Sequence, residues 1–150
     1  MKTTLLYALL ALCCAALTLS APTGAETMKA GRSAAAGKQK VVIQVSDNDP
    51  KKWGLALNNA ENVQEDIGKG RVDIEIVAYG PGLPMLKLDS PVGGRVAEAL
   101  ANGVRVVACE NTMQKTKLTR EDMLPSLDYV KSGVPEIMHR QAEGYAYIRP

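Results

Sequence analysis

The fold is decided by residues 41–78, VVIQVSDNDPKKWGLALNNAENVQEDIGKGRVDIEIVA. The β-branched run at 41–45 is typical of a strand that is buried on both faces. Asp49 then has the character of a helix N-cap, and Pro50 suits the first helical position, where its missing N–H costs nothing. The helix that follows is predicted to end at Gly68. Its apolar stripe consists of Trp53, Leu57, Ala60, Val63 and Ile67.

The next strand, at 72–78, alternates apolar residues with the charged Asp73 and Glu75. Alternation indicates a strand with one exposed face, and we therefore predict that it lies near an edge of the sheet. The glycine- and proline-rich stretch 80–84 follows, and it is predicted to be a loop that is neither helix nor strand.

The remaining chain repeats this order of strand and helix. We predict helices at 91–102 and from Ser132 or Gly133 onward, a short helical turn at 119–123, and strands at 104–109, 127–131 and 145–148. Helices between successive strands indicate right-handed βαβ units and a parallel sheet. The sequence thus predicts an α/β fold: one flavodoxin-like, three-layer domain with a five-stranded, mainly parallel sheet over 40–150. The inward face of the last helix is predicted to be Val134, Ile137, Met138 and Gln141.

Residues 1–25 have the three parts of a signal peptide: Lys2, an uncharged run at 5–19, and small residues at Ala21 and Ala25 where a signal peptidase could cut. A membrane anchor needs about 20 apolar residues, more than this run offers. Lipidation at Cys13 is disfavoured because Leu12 precedes it. We expect a periplasmic protein that is free of the membrane after cleavage.

Residues 26–39 lack periodicity and are predicted to be a flexible tether. Removing the signal takes one of the 18 basic residues, Lys2, and leaves 17 against 16 acidic ones. A nearly neutral chain with few aromatic residues has neither the field nor the stacking platforms for nucleic acid. Only Cys109 of the three cysteines remains, and His139 is the only histidine, so no metal-ligand spacing is present. We expect no metal and no cofactor.

In such a fold, ligands bind at the carboxyl ends of the strands. Four segments are predicted to meet there: 46–50, 80–85, 109–113 and 132–133. Cys109 ends a strand in that set, and backbone N–H groups of a following helical turn would stabilise its thiolate, whereas the carboxylate of Glu110 would oppose it. Equally, a lone cysteine can be an inert core residue.

The glycines do not form a dinucleotide fingerprint, because Gly80 and Gly82 lack the later glycine and the first loop is acidic. Both remain candidate ligand-binding positions in their loop. Gly93 and Gly94, at a predicted helix start, could hold a small anion or could simply permit close packing. His139 is predicted to lie on a solvated flank of the last helix.

With these segments in place, the chain resembles the DsrE/DsrF-like family of small sulfur-metabolism proteins, and in particular its exported branch. The resemblance covers about residues 40–150. The segments that carry it are 41–46, 53–63, 79–82, 103–104, 108–113, 133–137 and 141–148, including the sequences ACENTM and GVPEI.

The resemblance implies a parallel five-stranded sheet, a homo-oligomer (often a trimer or hexamer) and persulfide transfer by one cysteine. In the sulfur-relay members that cysteine lies at the start of the helix before a Gly-Val strand entry. The matching stretch here, 91–95, contains Gly93 and Gly94 and no cysteine, and Cys109 lies one strand later.

Two functions therefore stay open. In the first, Cys109 carries a persulfide between a thiol donor and an acceptor protein, with Asn111, Thr112 and Asn48 donating hydrogen bonds to the sulfur. In the second, the protein is a non-catalytic oligomer that binds a small ligand at the strand ends, and Cys109 is structural. A hydrolase or dehydrogenase lacks any triad, carboxylate pair or dinucleotide loop in this sequence.

Overall fold

The computed structural model describes residues 37–150. The predicted signal peptide at 1–25 and most of the predicted tether at 26–39 lie outside this range. The first strand begins at Gln39, which the sequence assigned to the tether. Lys38, just before it, pairs with Asp73 of the next strand at 2.8 Å, so the folded domain begins slightly earlier than predicted.

A five-stranded sheet forms the middle layer of the domain. Its strand order is β4-β3-β2-β1-β5, and every adjacent pair is parallel. The predicted α/β fold with a five-stranded parallel sheet is confirmed. The strands are β1 (Gln39–Val45), β2 (Val72–Ala78), β3 (Arg105–Cys109), β4 (Asp128–Val130) and β5 (Ala146–Ile148).

Within residues 37–150, four α-helices and three short 3₁₀ helices connect the strands. The first α-helix begins as predicted, since the Asp49 carboxylate accepts the Lys51 N–H at 2.8 Å and Pro50 is the first helical residue. No helix within residues 37–150 combines the length and the apolar character needed to cross a bilayer. The elements are α1 (Pro50–Ile67), α2 (Gly93–Ala101), α3 (Glu110–Thr116), α4 (Gly133–Ala142) and the 3₁₀ helices Lys69–Arg71, Gly80–Leu86 and Arg120–Asp122.

The two faces of the sheet are covered very differently. One face packs against α1, α2 and the 3₁₀ helix Gly80–Leu86, and this larger core includes the fully buried Ile43 and Ile76. The opposite face carries α4 over a much smaller cluster, consisting of Val42, Val77, Val107 and Ile137. The position of α4 consequently depends on more than apolar burial.

The predicted edge position of β2 is wrong, because β2 is the central strand. Its alternation of apolar and charged residues does not mark a solvated face, since Glu75 is only 1% exposed. The Glu75 carboxylate lies 2.6 Å from Arg105 Nη1 and 2.8 Å from Arg140 Nε of α4. A charge paired in this way can be buried, whereas an unpaired one could not.

Two further predictions are corrected. Residues 80–84 are not an irregular loop but the start of the 3₁₀ helix Gly80–Leu86, in which Leu86 is fully buried. Of the face predicted to point inward from α4, Ile137 is buried, whereas Val134 and Met138 are 48% and 65% exposed. The apolar face of α4 is narrower than the sequence indicated, because Arg140 on the same helix contacts the sheet through its ion pair with Glu75.

Gly82 provides a test of how closely the 3₁₀ helix packs on β1. A Cβ atom at this position would collide with the backbone carbonyl of Val45, whereas one on Gly94 meets no atom within 4 Å. We expect Gly82→Ala to lower the free energy of unfolding by about 2 kcal/mol or more. The control Gly94→Ala, in α2, should raise it by about 0.5–1 kcal/mol. Urea denaturation measures both, and equal effects would contradict the close packing.

Arg140 provides a test of what holds α4 on the sheet. We expect Arg140→Met to lower the free energy of unfolding by about 3 kcal/mol at neutral pH, because the buried Glu75 keeps only Arg105 as a partner. The control Arg149→Met removes an exposed contact to Asp47 at 3.5 Å and should have little effect.

The deficit of the Arg140 variant should also depend on pH. Burial raises the pKa of Glu75, although the hydrogen bond from Arg105 opposes the rise. As the pH falls, Glu75 therefore becomes protonated in the folded protein before it does so in the unfolded chain, and the buried negative charge that has lost the Arg140 partner disappears. The deficit should shrink between pH 7 and about pH 5. A deficit that is constant or grows in acid would contradict this account.

Candidate functional site

A cavity of about 740 Å³ lies at the carboxyl edge of the sheet. The four segments that the sequence placed at this edge all contribute to it. Asn48 follows β1, Gly80 follows β2, Cys109 ends β3, and Ser132 precedes α4. The convergence arises because parallel strands all end at the same edge of a sheet.

Cys109 is the cysteine that lines this cavity. It is only 4% exposed, and its Sγ atom lies 3.9 Å from the backbone oxygen of Lys131. It belongs to the lining of the cavity, so the thiol is covered by the fold but adjoins an open volume.

Cys109 is also the N-cap residue of α3, a full helix where the sequence predicted only a helical turn. Asn111 and Thr112 lie in its first turn and both line the cavity. The backbone N–H of Asn111 donates to the Lys131 oxygen at 3.1 Å, which ties the start of α3 to the end of β4.

Thr112 joins α3 to the segment that follows β2. Its hydroxyl oxygen accepts the N–H of Gly80 at 2.9 Å. The sequence predicted Thr112 as a hydrogen-bond donor to sulfur, whereas in the structure its hydroxyl oxygen is the acceptor in the bond with Gly80. The hydroxyl hydrogen remains free for a second partner, because a threonine hydroxyl both donates and accepts.

Glu110, which was expected to oppose a thiolate, is engaged elsewhere. Its carboxylate lies 2.8 Å from Arg120 Nη2, and Glu110 is absent from the described lining of the cavity. The negative charge next to Cys109 in sequence is therefore paired with a cation outside the site.

The four candidate glycines have different positions. Gly80 lines the cavity, whereas Gly82 packs against the end of β1 behind it. Gly93 and Gly94 begin α2 and contribute nothing to the described lining of the cavity. A Cβ atom on Gly93 would lie 3.3 Å from Leu124 Cδ2, so the close-packing interpretation accounts for Gly93.

Several lining residues were missed in the sequence. Tyr79 packs its ring against Gly133, where a Cβ atom would come within 2.8 Å of the ring, and burial raises the pKa of this tyrosine. Lys87 and Lys115 also line the cavity. No sequence signal identifies them, because Lys87 reaches the site through the 3₁₀ helix and Lys115 through a helix that was not predicted in full.

His139 lies outside the site, as predicted. It is exposed on α4, where its Nε2 atom lies 3.1 Å from a Glu143 carboxylate oxygen. Among residues 37–150, no group of three or more His, Cys, Asp or Glu side chains is placed to hold a metal ion.

The fold and the site define a class: a small α/β protein with a parallel sheet and a cysteine beside a cavity at the strand ends. The chain belongs to the DsrE/DsrF-like family, whose model matches residues 39–150. The family resemblance that the sequence suggested is confirmed.

Two solved structures share the fold. One is a protein of unknown function, MTH1491, from Methanobacterium thermoautotrophicum, which is 39% identical with a TM-score of 0.72; the match covers 75% of this chain and 100% of that one. The other is a conserved protein of unknown function, BT1422, from Bacteroides thetaiotaomicron, at 16% identity and a TM-score of 0.60, covering 75% of this chain and 95% of that one. No functionally curated protein matches the chain.

The hydrogen bond between Thr112 and Gly80 can be tested by removing the hydroxyl. Thr112→Val leaves the Gly80 N–H without its acceptor, and we expect a loss of about 1–3 kcal/mol in the free energy of unfolding. The matched control is Thr116→Val in the last turn of α3, where the hydroxyl donates to the backbone oxygens of Thr112 and Met113 within the same helix. That change should stay within about 0.5 kcal/mol. Equal losses in the two variants would show that the contact contributes nothing specific.

Proposed function

We propose that this protein accepts sulfane sulfur on Cys109 and passes it to an acceptor thiol. The observation that carries the proposal is the position of Cys109, which ends β3 at the start of α3 and lines the cavity. Family membership supports a sulfur relay as the general class of function. The cavity supplies what a relay needs, since donor and acceptor can reach the sulfur in turn.

The chemistry is a transfer without net redox change. The Cys109 thiolate attacks the outer sulfur of a donor persulfide, R–S–SH, so that a new S–S bond forms on Cys109 while the donor's S–S bond breaks and R–S⁻ leaves. Cys109–S–SH then carries the sulfur. An acceptor thiolate, A–S⁻, attacks the terminal sulfur, giving A–S–SH and restoring the Cys109 thiolate.

Polar groups beside Cys109 would stabilise the sulfur anion at each stage. Asn111 offers a side-chain amide from the first turn of α3, and Thr112 offers its hydroxyl hydrogen. Asn48 lines the same cavity from the end of β1. N–H and O–H donors are the groups that an anionic sulfur requires.

We also propose that the chain is exported to the periplasm after cleavage of residues 1–25 and that it works as a homo-oligomer, a trimer or hexamer. The exposed apolar side chains of Val134 and Met138 on α4, together with Tyr147 on β5, support association on the thinly covered face of the sheet. A partner protein would supply the donor or acceptor thiol.

A second function is favoured by a different observation. Cys109 is 4% exposed, and the cavity wall is mostly apolar, which suits a protein that binds a small ligand while Cys109 only fills space. In that case the sulfur never reacts in the native protein.

Intact mass spectrometry after exposure to polysulfide distinguishes these functions. We expect the native protein without residues 1–25, in which Cys109 is the only cysteine, to gain one or more sulfur masses that dithiothreitol removes, because Cys109 adjoins the cavity. The control Cys109→Ser should gain none. Asn111→Ala should slow the gain by about tenfold, since it removes a hydrogen bond to a charged group worth about 1.5 kcal/mol.

The opposite result is equally clear. If the native protein gains no sulfur, and a thiol reagent modifies Cys109 only after denaturation, then the relay is excluded and ligand binding becomes the function. Retention of the adduct in Cys109→Ser would show that the sulfur resides elsewhere.

A further inference from the structure

The cavity is much larger than the transfer of one sulfur atom requires. Its volume of about 740 Å³ falls within the range of about 300–1,000 Å³ that is typical of sites for small organic ligands. An inorganic polysulfide or hydrosulfide would leave most of this volume filled with water. The size therefore points to a donor or acceptor with an organic body.

The part of the lining that is neither Cys109 nor the lysines is largely apolar. Pro81, Leu83 and Pro84 form one side on the 3₁₀ helix, while Leu118 and Val134 contribute from the ends of neighbouring elements. Such a surface gains free energy by covering hydrocarbon, at about 25 cal/mol per Å² of apolar area removed from water. The body of the ligand should thus be aliphatic.

Both charged side chains in the described lining are lysines, Lys87 and Lys115, and no Asp or Glu lines the cavity within residues 37–150. Lys87 already contacts the exposed Asp89 at 3.1 Å. Lys115 has no ion-pair partner among the described side chains, which leaves it available to an anion. This local positive charge occurs in a chain with almost no net charge.

Lys115 lies away from the Cys109 thiol along the axis of α3. Lys115 lies in the last turn of α3, six residues after Cys109, and a helix rises by about 1.5 Å per residue. The two Cα positions are consequently separated by about 9 Å along the helix axis. A ligand whose sulfur meets Cys109 would have its anionic group at the opposite end of an extended body.

We propose that the cavity binds a low-molecular-weight organic thiol, and its persulfide, with an aliphatic body and a terminal carboxylate. Sulfur lies at Cys109, the hydrocarbon covers the exposed Pro81 and Val134 of the lining, and the carboxylate pairs with Lys115 and, secondarily, Lys87. This inference rests on the proposed function and specifies the molecule that exchanges sulfur with Cys109 in the transfer written above.

The experiment compares two persulfide donors of equal length, that of mercaptohexanoate and that of its neutral carboxamide. The rate of sulfur gain is followed by quenched intact mass spectrometry in the protein without residues 1–25, in which Cys109 is the only cysteine. We expect the carboxylate donor to react about tenfold faster than the carboxamide, equivalent to about 1.4 kcal/mol of charge pairing. The persulfide of mercaptopropionate should lose this advantage, because its carboxylate cannot reach Lys115 from Cys109.

The lysine variants locate the preference. Lys87→Gln combined with Lys115→Gln should bring the ratio of the two rates to about one, because the rate with the carboxylate donor loses its charge pairing. The matched control is Lys117→Gln, which makes the same charge change just beyond α3 at a residue outside the described lining, and it should keep the wild-type ratio. Equal rates for both donors in the wild type would overturn the inference, and a donor protein would then be the occupant to test.

Calorimetry separates this inference from the relay itself. Cys109→Ser cannot accept sulfur, but it should bind mercaptohexanoate, and the affinity should fall about tenfold when Lys115→Gln is added. If the protein gains sulfur from polysulfide but shows no such binding, the proposed thiol ligand is wrong and the proposed sulfur relay still holds. Lysine-dependent binding without sulfur gain from any donor supports the ligand and overturns the relay.

Discussion

The ion network around Glu75 is the constraint on which the second face of the domain depends. Glu75 lies on the central strand and is 1% exposed. Its carboxylate forms ion pairs with Arg105 of the neighbouring strand and Arg140 of α4. Breaking a buried pair of this kind costs about 3–5 kcal/mol, because a charge is left without a partner in a medium that solvates it poorly. The apolar contact of α4, which centres on Ile137, is small by comparison. The network therefore decides where this helix lies.

The position of α4 in turn determines one wall of the cavity. Its first residue, Gly133, packs directly against the ring of Tyr79, and Val134 follows on the cavity surface. The segment that leads into α4 also supplies the Lys131 oxygen next to Cys109. A shift of α4 would thus move the residues that surround the Cys109 thiol, although the ion pairs of Glu75 lie on the face of the sheet and not in the cavity. The ion pair between Glu75 and Arg140 therefore affects the geometry of the site through α4.

The opposite wall depends on backbone contacts instead of charges. The 3₁₀ helix Gly80–Leu86 packs against the end of β1 at Gly82 and bonds to Thr112 through the Gly80 N–H. These contacts place prolines and leucines against the volume beside Cys109. The site consequently combines the Cys109 thiol at a strand end with a lining that is largely apolar and whose charged side chains are lysines. Such an arrangement suits recognition of an organic molecule more than simple access for solvent.

The sequence by itself determined the order of strands and helices, the parallel sheet and the four segments at its carboxyl edge. Local signals suffice for these features, because hydrophobic periodicity, caps and glycines act within a few residues. Asn48, Gly80, Cys109, Asn111 and Thr112 could be placed near one another for the same reason, since every parallel strand ends at the same edge.

Tertiary structure alone decided the rest. The alternation of Glu75 with apolar residues indicated an edge strand, but charges from two other elements, Arg105 and Arg140, allow its burial in the central strand. Lys87 and Lys115 meet at one cavity although they are 28 residues apart in the sequence. Pairing between distant charges and the closure of a cavity both depend on packing across the whole chain, and no local pattern of residues records them.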